Sequence, residues 1–353
     1  MVNAVLQHLV SLSCVTTLAA LSVGLARVPL RGWLGARAAY WLWLAVPASA
    51  VALLLPQAAQ PAVRAGAIGQ DVFSRTLAQL DALLAAIHVS ASQAAAAVAL
   101  WAVGAIAATA LVFLRQRAFV RSLGRLVPAP DETWRGRGVT EPMLIGALCP
   151  RVLLPLDFEQ RYTAEEREFV LAHEHAHMRR GDLAVNAAGA AWLCVFWFNP
   201  VMLWAMRLLR FDQDLACDAA VLAAAGKARR GRYAGALLKA QLSAEALPLS
   251  LACHWRSVHP LRRRIAALRQ PVAGRLRHGI GMVLVAMLVA SAGLAASAVQ
   301  PDLQSVQPVA SYAANGTAPA AAVHSAGKVC PIALRRALAL RRARARLQAQ
   351  SRG

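Results

Sequence analysis

"LAHEHAHMRRGD", Leu171 to Asp182, sets three histidines and a glutamate into five consecutive positions. Upstream, Thr163 is followed three residues later by Glu166, the pattern of a capping box, which predicts a helix from near Ala164 to about Arg180. On such a helix His173 and His177 are four apart, so their imidazoles leave the same face. Two histidines at that spacing can fill two corners of a tetrahedral zinc site, and Glu174 beside them can take a proton from an attacking water. This is the HExxH signature of zinc-dependent peptidases, in which the metal lowers the pKa of water toward ~7 and polarises the scissile carbonyl. His175 points away and takes no role. An exposed histidine-rich helix would carry the same residues, so the reading turns on a third ligand.

That search leads to "AVNAAGAAWLCVFWFNPVMLWAMRLLRFDQDLACDAAVL", Ala184 to Leu222. Ala184 to Leu209 is apolar and long enough to be a membrane span. Asn199-Pro200 interrupts it, and asparagine as N-cap with proline at the first helical position is a helix start. The expectation is therefore a hairpin of two helices, Leu183–Phe198 and Pro200–Ala224. The second carries Asp212, Asp214 and Asp218. Asp214 and Asp218 share a face within a mostly apolar run, which argues against a merely solvated face. A single crossing would put His173 and Asp214 roughly 30 Å apart, too far for ~2 Å bonds to one ion. A turn at Asn199 brings them together.

The rest of the chain is oily. Of its 353 residues 58% are hydrophobic and 16% charged, with a mean hydropathy of +0.47. Soluble domains carry about a quarter charged residues, so this composition indicates a membrane protein. The net charge of +21 comes without zinc-finger spacing, an RNP-like motif or a P-loop, which sets direct nucleic-acid binding aside. Cysteines 14, 149, 194, 217, 253 and 330 form no CxxC pair. Neither a disulfide framework nor a cysteine zinc site is expected, and most read as small buried hydrophobes.

Four apolar runs can span a bilayer: Leu6–Ala26, Ala38–Leu55, Ala94–Leu114 and about Ile280–Ala298. Arg27, Arg31 and Arg37 follow the first, and Arg115, Arg117 and Arg121 follow the third. By the positive-inside rule the first loop and the region after Leu114 are cytoplasmic. The expected organisation is a three-helix block over 1–114, a cytoplasmic domain over 115–277, a fourth membrane helix over 278–298 and a disordered basic tail over 299–353. In the domain, "EPMLIGALCPRVLLP" (Glu141–Pro155) reads as two short strands, Met143–Ile145 and Val152–Leu154. An exposed edge at the first of these could receive substrate by strand addition.

In order, the three-span block, "EPMLIGALCPRVLLP", "AHEHAHMRRGD", "FWFNP", "DLACDAAVL" and the basic "LRRRIAAL" (Leu261–Leu268) resemble the BlaR/MecR-type integral-membrane zinc metallopeptidases, over about Met1 to Ala298. The resemblance implies a mainly α polytopic membrane protein of the bacterial inner membrane, with a cytoplasmic-side, gluzincin-like Zn2+ peptidase domain containing a small β-element. It implies His173, His177 and Asp214 as metal ligands, Glu174 as catalytic base, and Asp218 and Asp182 as outer carboxylates. The substrate would be a polypeptide, either a cytoplasmic transcriptional repressor or the chain itself, cleaved in transmembrane signalling; homo-oligomers are compatible with it.

Two features depart from the family. Its third ligand is a glutamate where this chain has the shorter Asp214. The family's β-lactam sensors carry a penicillin-binding domain after the last span, where this chain has a short tail, so a self-contained β-lactam receptor is not expected. "SAGK" (Ser325–Lys328) matches the bare S-x-x-K pattern but has no partner motifs around it. The alternatives are a non-catalytic signalling or scaffold protein on the same fold, which Asp214 motivates, and an anionic-lipid or nucleic-acid binder acting through the arginine tail.

Overall fold

A computed structural model describes residues 2–54, 90–226, 228–242, 253–254, 261–269 and 274–297. The basic tail and its S-x-x-K match lie outside them. Four described helices are long and apolar enough to cross a membrane. The first is α1 (Val2–Leu34). The second is built from α2 (Ala36–Trp41), a 3-10 turn (Leu42–Leu44) and α3 (Ala45–Leu54). The third is α4 (Ala91–Ser122) and the fourth α11 (Arg275–Ser297). These match the four expected runs. On α4, Leu100, Val103 and Ile106 are each at least 65% exposed, a face suited to a lipid environment.

One boundary differs. Arg27 and Arg31 were expected in a loop, but α1 continues through them to Leu34 and the chain turns at Gly35, whose φ of 90° is open to glycine. The arginines stay helical because they have a partner: Arg27 is buried and its Nη1 lies 2.8 Å from Asp212 Oδ1.

The sheet has the order β1-β2-β4-β3-β5, from β1 (Leu126–Pro128), β2 (Trp134–Gly136), β3 (Met143–Ile145), β4 (Arg151–Leu154) and β5 (Cys253–His254). Both expected strands form, as β3 and β4. The expected free edge at Met143–Ile145 does not exist: β4 pairs one side of β3, and β5 pairs Met143 and Leu144 on the other. A two-residue strand more than a hundred positions downstream leaves no sequence pattern to betray it. The expectation about cysteines is also corrected at one position, since Cys149, in the β3–β4 turn, is disulfide-bonded, while Cys14, Cys194 and Cys217 are free.

After the short α5 (Phe158–Arg161) comes α6 (Ala164–Arg180), started by the expected capping box of Thr163 and Glu166. It ends at Gly181, whose φ of 71° reverses the chain into α7 (Asp182–Val195). The hairpin then turns at Asn199, whose side chain caps α8 (Pro200–Ala225) through the Val201 N–H. The tip docks on the membrane block: Asn199 Nδ2 donates to Thr17 Oγ1 at 2.7 Å and to Ser13 Oγ at 3.2 Å. Trp204 fits against Gly24 of α1 and Trp197 against Gly104 of α4, where no side chain could be added. From Ser13 to Arg27 α1 rises about 21 Å, and from Asn199 to Asp212 α8 rises about 20 Å. The two run side by side, so the hairpin tip reaches the middle of the first span while the acids of α8 sit at its arginine-bearing end. The remaining helices, α9 (Arg230–Leu242) and α10 (Leu261–Leu268), close over α6 and α8. A core of Phe158, Phe169, Val170, Leu222 and Tyr233 joins them to the sheet.

Candidate metal centre

The hairpin brings α8 against α6, and the acids that sequence spacing placed on one face meet the histidines. His173, Glu174, His177, Asp182, Asp214 and Asp218 are all buried. His173 Nε2 and His177 Nε2 lie 3.2 Å apart, and Asp214 Oδ1 is 3.6 Å from His177 Nε2. Both Nδ1 atoms are already committed. His177 Nδ1 lies 2.7 Å from Asp182 Oδ2. His173 Nδ1 lies 3.2 Å from Asp218 Oδ1 and 3.3 Å from the Tyr233 hydroxyl. A carboxylate only accepts, so each Nδ1 facing one carries the proton. The two Nε2 lone pairs then face each other, an arrangement that a cation between them relieves. Two ~2.0 Å zinc–nitrogen bonds at the tetrahedral angle separate their nitrogens by about 3.3 Å, so the spacing fits that ion.

Glu174 is fully buried, and neither carboxylate oxygen has a hydrogen-bond partner among the described residues. Burial, reinforced by the charge on Asp214, pushes it up to about 8. A cation beside it would draw that value down. Burial likewise pushes His173 down to about 4, which keeps the imidazole neutral and able to ligate. Burial opposes the Asp214 carboxylate, but the neighbouring His177 and the charge of Arg264 outweigh it and hold it below the usual range.

The carboxylates behind the histidines are themselves anchored. Arg264 of α10 grips Asp218 with two bonds, Nε to Oδ2 at 2.9 Å and Nη2 to Oδ1 at 2.6 Å, and the Tyr233 hydroxyl donates to Oδ1 at 2.6 Å. Burial works against the Asp218 carboxylate, but the Arg264 guanidinium and the His173 bond hold it far below the usual range. Asp182 is clamped by Arg180, whose Nη2 also reaches the Gln213 carbonyl at 2.9 Å and Cys217 Sγ at 3.0 Å. Gly181 makes this possible: its left-handed turn lets Asp182 fold back beneath His177.

Every sequence-derived site residue is therefore in one place. Sequence reasoning did not single out Tyr233, Arg264, Arg180 or Cys217. Arg264 left a trace, since one of three consecutive arginines in an eight-residue amphipathic helix must turn inward. Cys217 forms a metal-compatible group with His173 and His177, with ligand atoms within 4.8 Å of one another. Burial raises its thiol, however, and a metal takes the thiolate. Asp214, whose Oδ1 lies 3.6 Å from His177 Nε2, is a second candidate for the third donor.

Membrane helices around a buried His–Glu helix with facing carboxylates define an integral-membrane protein of peptidase type. The chain belongs to the BlaR1 peptidase M56 family, whose model matches residues 7–268. It is 30% identical over 101 residues to the regulatory protein BlaR1 of Bacillus licheniformis, covering 29% of this chain and 17% of that one. It is 26% identical over 104 residues to the methicillin resistance mecR1 protein of Staphylococcus aureus, covering 30% of this chain and 18% of that protein. The matched regions thus span less than a fifth of these relatives.

Proposed function

We propose that this protein is a zinc-dependent endopeptidase of the bacterial inner membrane, with its site on the cytoplasmic side, cleaving a polypeptide in transmembrane signalling. His173, His177 and Asp214 hold the metal, Asp182 and Asp218 orient the histidines, and Glu174 is the base. The observation that carries this reading is the pair of Nε2 atoms 3.2 Å apart, with both Nδ1 atoms engaged by carboxylates. Zinc held there supplies an acidified water and a polarised carbonyl. Glu174, with no hydrogen-bond partner among the described residues, takes a proton from the attacking water and passes it to the leaving amine. The substrate class is a polypeptide, a cytoplasmic repressor or the chain itself.

Purified protein should carry one zinc per chain. Glu174→Gln should keep that zinc, lose cleavage and retain its substrate on purification. Wild type without metal and without cleavage would favour the second reading, a non-catalytic signalling protein, which the one-carbon-shorter Asp214 motivates.

A further inference from the structure

The first strand of support for His177 does not end in the peptidase helices. Asp182 Oδ2 holds His177 Nδ1, and its other oxygen, Oδ1, accepts a 3.1 Å hydrogen bond from the hydroxyl of Tyr40. Tyr40 belongs to α2, within the second candidate membrane span, 142 positions away in the chain. Its ring is buried, and the Arg180 guanidinium that clamps Asp182 lies over it at 5.0 Å from the centroid. Tyr40 thus touches both groups that fix the His177 ring and touches no ligand itself.

We propose that Tyr40 is a positioning residue of the metal centre, through which the second membrane helix sets the orientation of His177. The inference rests on the zinc reading above. Its physical content is a chain of two hydrogen bonds from a membrane helix to a ligand. A bond of 3.1 Å is lost when its partners separate by about half an ångström more. A small slide or tilt of the second span would then release one oxygen of Asp182 and loosen the imidazole it aims. The same helical segment is tied to α8 by Trp43 Nε1, which donates to Asp212 Oδ2 at 2.8 Å. The span therefore bears on both sides of the centre, and its displacement is an input the site can register.

The test uses the full chain in lipid nanodiscs. Zinc affinity is measured by competition with a chromophoric chelator, and ligand geometry by the visible d–d bands after cobalt substitution. Tyr40→Phe removes one oxygen atom and keeps the ring. Because it acts one bond beyond the carboxylate that meets the ligand, it should weaken zinc by about 3- to 10-fold, at or below the usual range for an outer partner. It should also shift the cobalt bands, with the thermal midpoint of the metal-free protein close to wild type. Asp182→Asn should weaken zinc more, and adding Tyr40→Phe to it should change little, because the two act in series. Unchanged affinity and bands in Tyr40→Phe would overturn the proposal, as would a loss that adds in full to that of Asp182→Asn. If Asp182→Asn does not fold, Tyr40→Phe decides by its bands alone. Wild type that binds no zinc would sink the metal reading and this inference together, whereas zinc-binding wild type with an indifferent Tyr40→Phe sinks only this one.

Discussion

Asp212 and Asp214 stand two residues apart on one helix, and their alanine variants should fail in opposite ways. Asp212 faces the membrane block. Its Oδ1 lies 2.8 Å from Arg27 Nη1 and 3.5 Å from Arg31 Nη1, and its Oδ2 accepts from Trp43 Nε1 at 2.8 Å. The Arg27 side chain is 7% exposed, so Asp212→Ala leaves a buried cation without its counter-ion. Breaking such a pair from one side costs about 3–5 kcal/mol. At ~2–4 °C per kcal/mol for a chain of this order, the thermal midpoint should fall by roughly 6–20 °C. The zinc should stay, because no oxygen of Asp212 faces the histidines. Removing both charges, in Arg27→Met with Asp212→Leu, should recover most of the loss, since a buried pair replaced by apolar groups is often neutral. Asp214→Ala removes only a carboxylate 3.6 Å from His177 Nε2. Its metal-free midpoint should lie within a few degrees of wild type, but two protein ligands do not retain zinc. Thermal unfolding in detergent with chelator present, paired with metal analysis of the folded fraction, separates the two. A folded Asp212→Ala that has lost zinc, or an Asp214→Ala that keeps it, would refute the division of labour along α8.

Other expectations are simpler. Cys217→Ser should hold zinc within about 3-fold of wild type, since with Asp214 as third ligand the thiol, in contact with Arg180, is left as an outer neighbour; a loss as deep as that of Asp214→Ala would make Cys217 the third ligand. Arg264→Met should lower zinc affinity by about 10- to 100-fold by freeing Asp218 from its two-point grip; unchanged affinity would cut the chain from Arg264 to His173. Reporter fusions at Gly136 and Gly231 should indicate cytoplasm, and those at Ala65 and Ala320 the outside. An outside signal at Gly136 would reverse the orientation taken from the arginines and accord with the Cys149 disulfide, a bond typical of oxidising compartments.

What was legible in the sequence was local. The capping box of Thr163 and Glu166, the Asn199-Pro200 corner and the apolar spans each announce themselves within a few residues. The i, i+4 spacing of His173 with His177 and of Asp214 with Asp218 needs only a helix. Demanding that His173 and Asp214 share one ion then predicted the hairpin, and so a tertiary contact. What was not legible was pairwise and distant: β5 against β3, Tyr40 under Asp182, Arg27 against Asp212. Helical phase alone separated Asp212 from Asp214 but could not say what Asp212 faced.

One constraint narrows even that. The chain has 38 basic residues and 17 acidic ones, so in its oily interior each buried acid has cations to choose from, while each buried cation must compete for an acid. An aspartate on the far face of a helix that already serves a metal site therefore asks for an arginine, and α1 carries two, one turn apart. That pairing at the polar end of α1, with Asn199 bonded to Thr17 and Ser13 midway along it, attaches the hairpin at two points about 20 Å apart. Two-point attachment makes α8 follow α1. The proposed metal centre is then supported from the membrane block: Asp214, its proposed third ligand, rides on a helix that the first candidate span holds, and His177 faces a carboxylate that the second span touches.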